Sequence, residues 1–207
     1  MWGISMCTSK EFLDAKERAL NLLWKDKSEN KVDKGIERIL DIINKSDDYY
    51  TSSSCAGRIV LIELPEIGDK RGAKFLGKWH RRIDQSEVEL AAKKAKTGLL
   101  WLLAQSPILH VAAETNSSAD KLLKTATSCG FKHSGLKSII GKTIVEVCST
   151  ERLDAPIGKN GSLFCDEEYL CLLVDISNEV IDRANHKLQR FERELKKSLS
   201  TQETTQY

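Results

Sequence analysis

Four consecutive hydroxyl residues, Thr51-Ser52-Ser53-Ser54, run directly into Cys55-Ala56-Gly57-Arg58. Such a stretch offers many hydrogen-bond donors and little bulk. Read as a bend before a strand, it could cradle an anion or a ligand carboxylate, with the Arg58 fork gripping it bidentately. A plain serine turn has the same composition. In Gly130-Phe131-Lys132-His133-Ser134-Gly135, two glycines permit close backbone approach, Phe131 offers a ring, and His133 and Ser134 offer polar contacts. The alternative is a helix stop followed by a loop. His110 stands alone in the apolar run Pro107-Ile108-Leu109-His110-Val111, where a histidine is either a satisfied core residue or a proton acceptor. Ser149-Thr150, at a strand end, is a fourth and weaker candidate. Cys55 with His80, His110 or His133 also permits a cysteine nucleophile and hence acyl transfer or hydrolysis, although no spacing demands it.

The segment from Lys70 to Arg82 carries Lys70, Arg71, Lys74, Lys78, Arg81 and Arg82, joined by His80 and free of acids. Phe75 and Trp79 interleave with these cations, so phosphates and an unstacked base would both find partners there. A solvated strand face would look similar. Net charge is only +2, so nucleic-acid binding must come from a local patch of this kind. The six cysteines form no C-x-x-C pair and the four histidines are not spaced as zinc partners to them, so no metal is expected. No apolar run reaches the roughly 18 residues of a membrane helix, and the N-terminus has no basic flank followed by an apolar stretch. A soluble, cytoplasmic protein is expected.

These segments must be held by elements whose periodicity is legible. Ser9 can cap a first helix to about Lys25. Asp33 starts a second, with Ile36, Ile39, Leu40 and Ile43 at the i, i+3, i+4, i+7 positions. Gly57 to Leu64 reads as a buried strand and Ala73 to Ile83 as its return. Ser86-Glu87-Val88-Glu89 reads as a capping box opening a helix to about Lys96. Leu99 to Val111 reads as two strands interrupted at Pro107, Ser118 to Cys129 as a helix stopped by Gly130, and Lys142 to Ser149 as a further strand. Leu153 to Ser162, with Pro156, Gly158 and Gly161, reads as a loop. Asp166 caps a long helix through Leu199 whose Ile181, Ala184, Leu188, Phe191 and Leu195 follow a coiled-coil spacing. That helix either breaks near Ser177-Asn178, packs on the N-terminal helices, or meets a partner chain; packing on its own chain is preferred. The residues from Ser200 onward are polar and expected to fray.

The sum is a single α+β domain over residues 1–207, with one mixed sheet and helices at both chain ends. No G-x-G-x-x-G follows a strand, which excludes the usual loop of the doubly wound, Rossmann-type fold.

Six pieces in order carry a resemblance: T-S-S-S-C-A-G-R-I from Thr51, K-W-H from Lys78, P-I-L-H-V from Pro107, G-F-K-H-S-G-L from Gly130, E-V-C-S-T from Glu146 and L-D-A-P-I-G from Leu153. Together they resemble the third wybutosine-synthesis methyltransferase family, over about residues 10 to 195. The K-W-H form is similar to archaeal relatives, and Lys132 and Cys148 stand where family members usually carry Arg. The resemblance implies methyl transfer from S-adenosylmethionine to the N-4 ring nitrogen of a 4-demethylwyosine-type guanosine, 3′ to the anticodon of tRNA-Phe. It also implies a fold other than the doubly wound one. On this reading Ser52, Ser53, Ser54 and Arg58 anchor cofactor or substrate, with Gly130, Phe131, Ser134 and Gly135 as further cofactor contacts. Lys78, Trp79 and His80, with Ser149 and Thr150, engage the RNA of the anticodon loop. His110 and His133 are the proton-acceptor candidates, His110 preferred. The competing reading is a noncatalytic RNA-binding module of the same fold.

Overall fold

The computed structural model describes residues 9–69, 71–139 and 142–200. Lys70, the segment before residue 9, the tail after residue 200 and the side chains of Ser9 and Ser200 lie outside the described residues. In chain order the elements are α1 (Ser9–Ser28), α2 (Glu37–Lys45), β1 (Tyr49–Cys55), β2 (Arg58–Leu64), β3 (Lys74–Trp79), α3 (Gln85–Ala92) and β4 (Leu99–Gln105). There follow β5 (Ile108–Ala113), α4 (Asn116–Ser128), β6 (Gly135–Ser138), β7 (Thr143–Cys148), β8 (Arg152–Lys159), β9 (Ser162–Leu163) and α5 (Glu167–Ser200). This is an α+β protein with helices at both ends and no doubly wound sheet. The strands sort into two sheets, ordered β1-β5-β7-β6 and β3-β2-β4-β8-β9, and every pairing between them is antiparallel. The single mixed sheet expected from sequence is thus two antiparallel ones. Strands β4 and β5, separated only by Ser106-Pro107, fall in different sheets.

The chain divides into two compact units. The first comprises Met1–Ala56, Pro107–Thr150 and His186–Tyr207. Its sheet buries Leu109, Val111, Val145 and Val147 on one face, against the α2 stripe Ile36, Ile39, Leu40 and Ile43, α4 residues Leu122 and Ala126, and Leu188, Phe191 and Leu195 of α5. Each fully buried aliphatic side chain of that stripe contributes about 1.5–3 kcal/mol. Helix α1 packs on the opposite face, with Phe12 and Ala15 against Tyr50 and Ala112. Asp33 does not begin α2; its carboxylate accepts the Ala56 N–H at 2.9 Å and so ties down the end of β1.

The second unit comprises Gly57–Ser106 and Glu151–Asn185. Ile59, Leu61, Leu100, Leu102, Ala155 and Ile157 face Val88, Ala91 and Ala92 of α3 and Leu170, Leu173, Val174 and Ile181 of α5. The capping box lies two residues earlier than the sequence suggests. Asp84 is the N-cap, and Glu87 reaches back to its N–H at 3.1 Å. Helix α5 runs unbroken through Ser177-Asn178 because both side chains are satisfied there. The Ser177 hydroxyl donates to Leu173 O at 2.7 Å, and the Asn178 amide pairs with both backbone groups of Ile83 at 2.8 and 2.9 Å. The long helix is therefore packed within its own chain, but on sheet cores rather than mainly on α1. The expected loop over Leu153 to Ser162 is instead strands β8 and β9. Pro156 is tolerated because the ladder slips beside it. Leu100 pairs Gly158 and Trp101 pairs Pro156, leaving Ile157 as the extra residue of a bulge.

Candidate active site

In the first unit, β1 pairs antiparallel with β5 in a register that slips by one residue. Thr51 lies opposite Val111 and Ser53 opposite His110, which leaves Ser52 as the extra residue. A regular strand would alternate its side chains between faces. Here Tyr49, Tyr50 and Thr51 are buried and Ser52, Ser53 and Ser54 are all exposed. The serine segment is therefore a bulged edge strand rather than the bend expected from its composition, since cross-strand pairing with β5 overrides its weak strand propensity.

The bulge aims Ser53 at the ring of His110. Ser53 Oγ lies 2.8 Å from His110 Nδ1, and Ser52 Oγ donates to the His110 carbonyl at 3.3 Å. On the other side of the ring, His110 Nε2 lies 2.8 Å from Glu146 Oε2, directly opposite on β7. The second oxygen of Glu146 meets Lys137 Nζ at 2.9 Å. Lys137 is itself the extra residue of a register shift in β6. Each strand of the sheet thus supplies one member of a polar row, Ser53–His110–Glu146–Lys137. The row shares the sheet face of Tyr50, Ala112 and Ile144, beside the part that α1 covers. Glu146 is 14% exposed. Burial alone would push its carboxyl up, but hydrogen bonds from Lys137 and His110 outweigh that and hold it below the usual carboxylate range.

Next to the row, α1 and β1 enclose a cleft of about 450 Å³. One wall is Ala15, Arg18, Ala19, Leu22, Leu23 and Asp26 of α1, and another is Tyr50 to Ser54 of β1. Lys31, Val32, Lys142 and Ile144 complete it. An apolar wall, three cations and one carboxylate in a cleft of this size suit a small zwitterionic ligand with an aromatic part.

Phe131, Gly130, Ser134 and Ser149 are built into the scaffold of this unit, whereas His133 and Thr150 are exposed. Phe131 is fully buried and packs on Phe191, with ring centroids 5.4 Å apart, so its ring offers no ligand surface. Burial beneath the end of α4 is what the segment's aromatic residue is for. Gly130 has φ +100 and stops that helix, and a side chain there would meet the Lys187 stem. Ser134 Oγ donates to Phe131 O at 2.7 Å and accepts from Cys148 N at 3.1 Å, stapling the corner to β7. His133 is exposed, and its backbone N–H donates to Cys148 O at 3.2 Å. Gly135 opens β6 opposite Glu146. Ser149 is buried and accepts from Lys187 Nζ at 3.4 Å, while Thr150 is exposed. Of the two histidines offered as proton acceptors, only His110 stands in a hydrogen-bonded row.

In the second unit, strand alternation separates neighbours of the K-W-H piece. Trp79 pairs Ile59 on the core face and packs against that core. Lys78 pairs Val60 on the opposite face, where Phe75, Arg58 and Trp101 also fall by register. Phe75 is 56% exposed, and the Arg58 guanidinium lies 5.7 Å from its centroid while Arg58 Nε donates to Gln105 at 2.8 Å. His80 Nδ1 is 2.9 Å from Gly57 O. The exposed ring on this face is therefore Phe75 and not Trp79.

Sequence reasoning missed Glu146, Lys137 and the α1 wall. The signal for Glu146 was present as the one charge inside the strand Thr-Ile-Val-Glu-Val-Cys. Lys137 and Arg18 carry no such mark, because only sheet order and helix docking bring them to the site.

Two antiparallel sheets with helices at both ends define a small α+β protein outside the doubly wound fold, in which a charged cleft lies beside a hydroxyl–imidazole–carboxylate row. The chain belongs to the family described as Methyltransferase TYW3, whose model matches residues 14–197. It is 48% identical over 185 residues, 89% of this chain and 94% of the other, to the tRNA(Phe) 7-((3-amino-3-carboxypropyl)-4-demethylwyosine(37)-N(4))-methyltransferase 1 of Pyrococcus horikoshii. A Methanocaldococcus jannaschii protein of the corresponding name is 41% identical over 182 residues, 87% of this chain and 94% of that protein. A solved structure of the PH1069 protein from Pyrococcus horikoshii superposes with a TM-score of 0.88 at 46% identity, covering 92% of this chain and 98% of that one. Among the described residues no helix is long and apolar enough to cross a membrane.

Proposed function

We propose that this chain transfers a methyl group from S-adenosylmethionine to the N-4 ring nitrogen of 7-(3-amino-3-carboxypropyl)-4-demethylwyosine at position 37, in the anticodon loop of tRNA-Phe. The family membership and the activity for which the relatives are named support the reaction. The observation that carries its location is the α1–β1 cleft opening beside the Ser53–His110 pair. The cleft fits the donor chemically. Arg18, Lys31 and Lys142 suit a carboxylate, Asp26 suits ribose hydroxyls or an ammonium, and Ala15, Ala19 and Leu22 suit a purine face. S-adenosylmethionine, when bound, supplies a methyl group made electrophilic by a sulfonium.

The chain's own work is positioning and proton handling. In-line displacement needs the two reactants held a few ångström apart, and the walls of α1 and β1 supply the contacts that would position them. The acceptor nitrogen must lose a proton as it gains the methyl group, and His110 is its destination. Ser52 and Ser54, exposed on the cleft wall, anchor donor or base through their hydroxyls. RNA contact falls to the outer face of the second unit's sheet, where Lys78 supplies charge and Phe75 a stacking surface. Both units serve one methyltransferase domain, and a cytoplasmic location goes with this reading.

The test is incubation with methyl-labelled S-adenosylmethionine and tRNA-Phe from cells lacking this step, followed by nucleoside mass spectrometry. A product one methyl heavier, confined to the tricyclic base, is expected. No transfer to verified precursor by folded protein overturns the reading in favour of a noncatalytic RNA-binding module.

A further inference from the structure

Both ring nitrogens of His110 are already occupied. Nδ1 lies 2.8 Å from Ser53 Oγ and Nε2 lies 2.8 Å from Glu146 Oε2. A base whose two nitrogens are engaged does not itself meet a substrate; the group beyond it does. We infer that the Ser53 hydroxyl is the catalytic group that takes the proton from the acceptor nitrogen, passing its own to His110, with Glu146 and Lys137 as positioning residues that fix the ring. This rests on the methyl-transfer reading above and changes the role of Ser53 from an anchor to a proton conduit.

The direction of each hydrogen bond follows from the chemistry of the groups. Glu146 is held ionised by Lys137 on one oxygen, so it only accepts. His110 Nε2 must then carry the hydrogen and donate it to Glu146. In the neutral imidazole that leaves Nδ1 with a lone pair, which accepts the Ser53 hydroxyl hydrogen. The Ser53 oxygen, with its hydrogen directed at Nδ1, keeps its lone pairs available to the cleft whose wall Ser53 helps to form. The strand bulge at Ser52 is the device that makes this possible, because it is what brings Ser53 opposite His110.

The step balances without a further reactant. The N–CH₃ bond forms as the donor's S–CH₃ bond breaks and the sulfonium becomes a neutral thioether. The acceptor's N–H bond breaks, its proton goes to Ser53 Oγ, and the Ser53 proton goes to His110 Nδ1. The resulting imidazolium lies against ionised Glu146 and returns its proton to solvent after product leaves. Charge therefore accumulates on a histidine that a carboxylate already faces, which is the logic of a nucleophile–base–orienter row turned to proton removal rather than covalent attack.

The experiment compares Ser53→Ala, Ser53→Thr and Glu146→Gln with the wild-type protein, on precursor tRNA at saturating donor, alongside donor affinity by calorimetry. Ser53→Ala is expected to lower kcat about 100-fold or more, in the range of general-base losses, with donor Kd within about twofold of wild type. Ser53→Thr keeps the hydroxyl and is expected to restore kcat to within about tenfold of wild type. Glu146→Gln is expected to lower kcat, and the ¹⁵N spectrum of His110 is expected to lose its single Nε2–H tautomer. A Ser53→Ala protein with near-normal kcat overturns the relay, as does one whose only defect is a raised donor Kd, which marks an anchor. A wild-type protein inactive on verified precursor overturns the methyl-transfer reading itself, so the two failures are distinguishable.

Discussion

The indole of Trp79 lies over Gly77: a Cβ built on Gly77 would fall 2.0 Å from Trp79 Cη2. The pair sits on the core face of β3, where Gly77 lies opposite Leu61 and Trp79 opposite Ile59. Gly77→Ala is expected to push the indole off its seat and out of contact with the core beneath it. Overpacking of this kind costs about 1–3 kcal/mol, read as a lower urea midpoint with unchanged slope. An unshifted midpoint would show that the ring is not held there.

The proposed placing of the donor in the cleft between α1 and β1 makes its binding separable from folding. Arg18 is exposed on α1 and lines the cleft, so Arg18→Glu should leave the melting curve close to wild type. Loss of a charge-assisted contact, at about 1.5–3 kcal/mol, corresponds to a rise in S-adenosylmethionine Kd of about 10- to 150-fold. Calorimetric titration measures it, and an unchanged Kd would move the donor elsewhere.

The outer face of the second sheet makes a contrasting pair of claims for RNA. Lys78→Ala should weaken tRNA binding and reduce the salt slope by about one phosphate contact. Phe75→Ala should weaken it by about 1–3 kcal/mol with the slope unchanged, as expected for lost stacking. Neither should alter donor affinity. Equal slopes in wild type and Lys78→Ala would remove Lys78 from the interface.

Acid should loosen the start of α3. The Arg81 guanidinium beside Glu87, together with the Asp84 N–H, holds the Glu87 carboxyl down from 4.5 to about 2. A depressed carboxyl stabilises the fold at pH above its unfolded value, and the contribution is lost as pH falls from about 4.5 toward 2. The pair is at the surface, where solvent screens it, so the effect is small. Glu87→Gln should flatten that part of the stability–pH curve, checked by urea melts at pH 7 and pH 3. Equal pH dependence in the two proteins would count against the assignment.

Much of the scaffold is legible in the chain alone, because local periodicity reports which face of an element is buried. The stripe Ile36, Ile39, Leu40, Ile43 marked α2, the apolar run around Pro107 marked two strands, and Gly130 marked the end of α4, all as found. His110 was singled out for the same reason, as a polar residue in an apolar strand. What the sequence could not supply is which partner each strand takes, since pairing is a contest among distant segments decided by total burial. Pairing with β5 turned the serine run from a bend into a bulged strand, and pairing with β4 turned the stretch from Leu153 into β8. Strand alternation sent Trp79 to a core and left Phe75 exposed, and the end of α4 closed over Phe131. The sequence by itself determined the helices, most strands and the family, and it named Ser53 and His110 as separate candidates. Only the tertiary structure set them 2.8 Å apart and added Glu146 and Lys137, because sheet order alone brings four strands distant in sequence into one row.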